Sequence, residues 1–211
     1  MAPIRVAQTA GFCFGVRRAV DMAEKLAQKH KTLYCYGEII HNTHEINRLA
    51  RRGVKTARAV DDIPDGAPVL IRAHGVPKTV YDAFAAKGCT IFDATCPFVS
   101  KIHKIVAAEY AKGRKIIILG SAGHPEVVGI AGWCGESMVF ETPEALSTAI
   151  EGGSLPSGAP ISVVGQTTLN RALWDISVKI LKKRCTNCKI FDTICNATDE
   201  RQAEARLLAG E

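Results

Sequence analysis

A chain of 211 residues, 47% hydrophobic and 23% charged, is long enough for one large domain or two small ones with full cores. No apolar run nears the roughly 20 residues that cross a bilayer, and the start lacks a signal-type apolar region, so membrane and secreted readings are excluded and a cytoplasmic address is expected. The net charge of +6 points to anionic partners; with 6% aromatic residues and no basic stripe between them, nucleic acid is set aside and a small phosphorylated ligand fits.

In chain order, GFCFGVRRAV places Cys13 on an apolar turn before a helix expected over 15–30, whose Arg17 and Arg18 read as a solvated face. TLYCYGEIIHN is an apolar strand running into His41, followed by a helix over 43–52. APVLIRAHGVP repeats the scheme with His74 and a helix over 77–87. TIFDA (90–94) is a strand, and Cys96-Pro97 opens a helix over 97–112. KIIILGSAGHPE gives the third strand-to-histidine turn, with His124, Glu126 and a helix-like stretch. Strands at 137–141 and 160–166, helices at 143–150 and 170–183, and a Gly/Ser/Pro loop at 151–160 follow. After FDTIC, which parallels FDATC around Cys96, the last segment from Cys195 has helix periodicity. Strands alternating with helices imply βαβ units with parallel sheets and an α/β fold, divided near residue 96 into two lobes. Ligands gather at the carboxyl ends of such strands, where all three histidines fall.

Eight cysteines without an export signal argue for metal or redox chemistry over disulfides. Cys35 and Cys89 read as strand packing, and Cys134 as inert. Cys13, Cys96 and Cys195 each precede a helix, whose positive end favours thiolate. Three such thiolates suggest an iron–sulfur cluster with one open iron or a zinc site with an open position. Cys185 and Cys188 form a lone CxxC, compatible with a zinc half-site, a redox pair or packing. The glycine-rich turn at His124 suits phosphate, and Glu126 suits a general acid if desolvated. In QTTL, Thr167 and Thr168 place hydroxyls at a strand end.

GFCFGVRRAV, IIHN, AHGV, FDATCP, GHPEVVG, QTTL and DTICNAT, in that order, resemble the signatures of the 4-hydroxy-3-methylbut-2-enyl diphosphate reductases, which end the methylerythritol phosphate route to isoprenoids. The resemblance implies a pseudo-threefold trefoil of small parallel-sheet lobes around a [4Fe-4S] cluster held by Cys13, Cys96 and Cys195. It assigns diphosphate binding to His41, His74 and His124, proton relay to Glu126 with His124, and an active-site threonine to Thr167. The implied reaction is reductive dehydroxylation of the allylic diphosphate to isopentenyl and dimethylallyl diphosphates, with ferredoxin or flavodoxin as electron donor. On this pattern residues 14–96 and 97–194 are the first and second lobes, and 1–13 and 195–211 are remnants of a third. The Ser-Ser-Asn run of the third lobe is missing from this sequence. The chain is therefore expected to be a fragment completed by a third-lobe chain; the alternative is a non-catalytic iron–sulfur or zinc-binding paralogue.

Overall fold

The computed structural model describes residues 4–155 and 158–210. Two four-stranded, wholly parallel sheets organise it. The first contains β1 (Leu33–Tyr36), β2 (Val54–Ala57), β3 (Pro68–Ile71) and β4 (Thr90–Asp93), in the spatial order β2-β1-β3-β4. The second contains β5 (Lys115–Leu119), β6 (Ser137–Phe140), β7 (Ile161–Gly165) and β8 (Cys188–Ile190), in the order β6-β5-β7-β8. The two sheets thus share one topology, and the expected pair of parallel α/β lobes is present.

Helices cover both faces of each sheet, so the central strands read as unbroken apolar runs, KIIIL and ISVVG among them. Helix α1 (Phe14–Lys29) lays Ala19, Val20, Ala23 and Leu26, which share one helix face, onto Leu33, Cys35 and Leu70 of the first sheet. Helix α4 (Pro97–Ala111) leaves the last strand of the first sheet and buries Ile102 and Val106 against Ile116 and Ile118 of the second. Helices α2 (Thr43–Ala50), α3 (Lys78–Ala86), α5 (Pro125–Ala131), α6 (Pro143–Glu151) and α7 (Arg171–Arg184) fill the crossovers. Asn42, Thr142 and Asn170 cap α2, α6 and α7 by accepting from backbone N–H groups. Helix α8 (Ala197–Ala209) buries no residue, and Leu207 is 78% exposed.

The expected elements are present, and two edge strands were not foreseen. β2 reads VKTA with its two middle residues exposed, and β8 has three residues, so neither shows an apolar alternation. Of the loop read at 151–160, residues 156 and 157 lie outside the described residues, as do 1–3 and 211 of the outer segments. The threefold strand-to-histidine repeat needs correction. Its first two units share one sheet, and only the third opens the second sheet. The sheets match His41 with His124 (after β1 and β5), His74 with Thr167 (after β3 and β7), and Cys96 with Cys195 (after β4 and β8). Local pattern showed the histidines; only strand order shows which positions are equivalent.

Candidate functional site

In each sheet the chain order reverses between the two central strands, and the loops leaving their carboxyl ends form a crevice. His41 and His74 leave the first crevice, and His124 and Thr167 the second. The lobes meet where α5 packs on the 74–77 turn. A Cβ at Gly129 would stand 3.4 Å from the Gly75 carbonyl carbon and the His74 oxygen, so a hydrogen there lets the backbones touch. Trp133 Nε1 donates to the Val76 carbonyl (3.0 Å), and Lys78 N–H to the Gly132 carbonyl (3.2 Å). This seam brings the three imidazoles together. Ring centroids lie 4.4 Å apart for His41–His74 and 5.6 Å for the other two pairs.

Burial, then the neighbouring His41 and His124, push the His74 imidazole down to about 3, so it is neutral at neutral pH. His124 is lowered too, by burial first, then His41 and Arg72. The three offer nitrogens within 4.8 Å of one another, a spacing a metal ion could use. Hydrogen bonding decides against that for His124. Its Nδ1 accepts the Glu126 N–H (3.1 Å) at the N-terminus of α5, so the neutral ring carries its proton on Nε2. A protonated Nε2 donates to an anion and has no lone pair for a metal. His74 Nδ1 is buried without a partner, a further polar atom left for a ligand.

Glu126 is 3% exposed. Its Oε1 accepts the Thr167 N–H (2.6 Å) and its Oε2 the Thr167 hydroxyl (2.7 Å). Burial raises its pKa and outweighs those two bonds, which lower it. Thr167, which holds the carboxyl, also accepts the Cys195 N–H at 2.8 Å, and the carboxyl acts electrostatically on the Cys96 and Cys195 thiols.

Cys13, Cys96 and Cys195 line one cavity of about 490 Å³, together with Thr9, Phe14, Gly15, Phe98 and Ile194. Cys13 and Cys96 are the N-caps of α1 and α4, and Cys195 precedes α8. Cys96 and Cys195 are placed alike: their N–H groups donate to the carbonyls of Ala73 (2.9 Å) and Thr167 (2.8 Å). Gly15 lies on Cys96, where an added Cβ would come within 2.5 Å of its Sγ. Arg18, read from sequence as solvated, donates to the carbonyls of Asp93 (3.2 Å) and Thr95 (3.1 Å) and ties α1 to the Cys96 turn. The expected thiolate preference is also corrected for two thiols. Burial raises Cys96 and Cys195, although backbone N–H groups of their helices lower them.

The three thiols as placed stand too far apart to share one zinc ion. Zinc–sulfur bonds of about 2.3 Å would hold three thiolates roughly 3.8 Å apart. Among the described residues, only the histidine trio has three ligand atoms mutually within 4.8 Å. The remaining cysteines serve packing. Cys35 is 1% exposed, and burial drives its thiol up to about 12. Cys89 packs against the first lobe's core, and Cys134 donates to the Ala131 carbonyl. Cys185 and Cys188 lie in the second lobe's core cluster, and burial raises both thiols, Cys188 to about 11.

Sequence reasoning missed Arg18 and Arg72, because an arginine's partners on distant loops leave no trace in local pattern.

A family model described as LytB protein matches residues 4–211. A 4-hydroxy-3-methylbut-2-enyl diphosphate reductase of Clostridioides difficile (strain 630) is 39% identical over 210 residues, covering 99% of this chain and 74% of the relative. The reductase of that name in Aquifex aeolicus (strain VF5) is 36% identical, covering all of this chain and 72% of the relative. Among solved structures, an (E)-4-hydroxy-3-methyl-but-2-enyl diphosphate reductase, described as the terminal enzyme of the non-mevalonate pathway, superposes with TM-score 0.81 at 36% identity, over 99% of this chain and 74% of that one. The Plasmodium falciparum enzyme gives 0.84 at 28% identity, over 92% and 61%. With its lobes, crevices and nearly its whole length matched, the chain belongs to the LytB family.

Proposed function

We propose that this protein is an oxidoreductase of the methylerythritol phosphate pathway that removes the hydroxyl of 4-hydroxy-3-methylbut-2-enyl diphosphate, giving isopentenyl and dimethylallyl diphosphates. Cys13, Cys96 and Cys195 would hold a [4Fe-4S] cluster, which supplies electrons and an iron site for the leaving oxygen. The balance is two electrons and two protons in, one C–O bond broken, one C–H bond formed and one water out. The electrons would come from ferredoxin or flavodoxin. A soluble, cytoplasmic setting fits; among the described residues no helix is long and apolar enough to cross a membrane.

The carrying observation is a buried carboxyl, biased toward its protonated form, beside two of three thiols in one cavity. Glu126 holds the proton that the departing hydroxyl needs, and Thr167 fixes both its oxygens. His41, His74 and His124 form the diphosphate end of the site, with His124 offering Nε2–H. The phenyl rings of Phe14 and Phe98, both exposed, stand at the cavity wall.

Cys13 opens a helix that covers the first sheet, and Cys96 one that covers the second. Cys195 precedes α8, which covers none. That sequence of roles supports a further lobe over α8, on this polypeptide or another; the chain spans about three quarters of its C. difficile relative.

Anaerobic reconstitution with iron and sulfide tests the reading. The protein should take up a cluster with visible charge-transfer absorbance, and Cys→Ser at 13, 96 or 195 should abolish uptake. Glu126→Gln should keep the cluster and lower turnover by about 100-fold or more. Iron at background in the unaltered protein sinks the proposal, as does full turnover in Glu126→Gln.

A further inference from the structure

Imidazoles can donate hydrogen bonds to a diphosphate, but the site residues described so far include no permanent cation to set against its several negative charges. Arg72 stands where one is needed. It lies on the turn between β3 and His74, half-buried, and acts electrostatically on both His74 and His124. Its hydrogen bonding is nearly unused: Nε donates to the Gly75 carbonyl at 3.4 Å, a long contact. Among the described residues no carboxylate pairs with it. Glu38, the nearest acidic influence, approaches His41 Nδ1 at 3.8 Å instead. Burial lowers the Arg72 pKa, the mark of a charge taken partly from water without compensation.

The fold makes room for this side chain. Gly37, at φ +76° just past β1, leaves open the space in which an added Cβ would come within 3.1 Å of Arg72 Cζ and closer still to Nη1. The guanidinium therefore lies across the end of β1, at the reversal between β1 and β3. It borders an open cavity of about 560 Å³ that Glu38, Thr56, Arg58 and Ile46 also line. A half-buried guanidinium with both terminal nitrogens free matches the paired oxygens of a phosphoryl group.

We propose that Arg72 is the cationic anchor of the site: its terminal nitrogens bind a phosphoryl group of the diphosphate while the three histidines hydrogen-bond the same group. This deepens the proposed function and rests on its assignment of the histidines to the diphosphate. The anchor selects for charge, so a diphosphate binds ahead of a monophosphate or an uncharged alcohol.

Calorimetric titration of the full chain with inorganic diphosphate tests this without iron. The unaltered protein should bind it more tightly than inorganic monophosphate. Arg72→Ala should weaken diphosphate binding about 10- to 100-fold, the range for a hydrogen-bonded charge. Arg72→Lys, which keeps the charge without the fork, should fall between. His74→Ala should also weaken binding. Lys115→Ala, removing a charge at the amino end of β5, should leave it unchanged. Thermal midpoints verify that each variant is folded, and Arg72→Lys carries the test if Arg72→Ala is not. Binding by the unaltered protein that Arg72→Ala and Arg72→Lys leave intact overturns the anchor and spares the histidine reading. No binding in the unaltered protein at millimolar diphosphate, or binding that His74→Ala leaves intact, overturns the histidine reading and the anchor with it.

Discussion

The His74 imidazole sits at about 3, and that of His103, stacked on Trp133 with Nε2 buried and unpartnered, at about 4; burial is the main cause in both. Unfolded, each would protonate near 6.5. The unfolded chain therefore binds protons first as pH falls, so stability is fullest above about 6.5 and drains away toward pH 4. Urea midpoints should be lower at pH 5 than at pH 7, and His103→Phe should shrink the difference; equal midpoints at both pH values would refute this. Glu126 gives the opposite sign. Its folded pKa is raised, so a step needing its proton slows as pH climbs through that value. Thr167→Val removes a bond that favours the ionised form and should move the alkaline limb of the turnover profile to higher pH; an unmoved or lowered limb counts against the pairing. Cys13, Cys96, Cys195, the three histidines, Glu126 and Thr167 could be singled out in the sequence because they fall at strand ends and helix starts within the family's signature runs. Arg18 and Arg72 were not, since an arginine looks solvated until the loops that receive it are known.

Helix starts do much of the positioning, and here tertiary burial overrode an element-level rule: the field and N–H groups of α4 favour a Cys96 thiolate, yet desolvation wins. Binding iron would supply the charge that burial withholds. Arg18 makes α1 and the Cys96 turn one unit, so Arg18→Ala should speed iron loss to a chelator several-fold after reconstitution. Arg17→Ala, an equal charge change on an exposed neighbour, should not; identical loss rates for the two variants would show that charge, not the two carbonyl contacts, matters. The seam between lobes has a similar tight point. A Cβ at Gly132 would fall within 2.6 Å of the Pro77 Cα, so Gly132→Ala should cost about 1–3 kcal/mol in chemical unfolding and loosen His74 from His124. Central strands and long helices were readable from apolar pattern. Of the four edge strands, β4 and β6 were readable and β2 and β8 were not, because VKTA exposes its two middle residues and β8 has only three residues to show a pattern.

Across the whole molecule the repeated strand order explains why the site straddles two lobes, a relation that no run of residues displays. It also leaves α8 tethered mainly by polar contacts: Glu204 accepts from the backbone N–H groups of Gln8 (2.6 Å) and Thr9 (2.7 Å), and Arg201 reaches the Thr9 carbonyl (3.1 Å). Glu204→Ala should expose α8 to limited proteolysis before either sheet is cut; an unchanged digestion rate would mean that other contacts hold the helix.

The thiol cavity draws one wall from ahead of the first sheet, one from between the sheets and one from beyond the second. On a ribosome those walls emerge in that order. The first lobe can fold while Cys13 and Cys96 wait without a third thiol, two soft ligands open to any passing copper or zinc. The third thiol follows only after the whole second lobe has been made. On the proposed cluster assignment, correct metal loading would be a matter of timing, and cells short of iron at the end of synthesis should accumulate mismetallated chains.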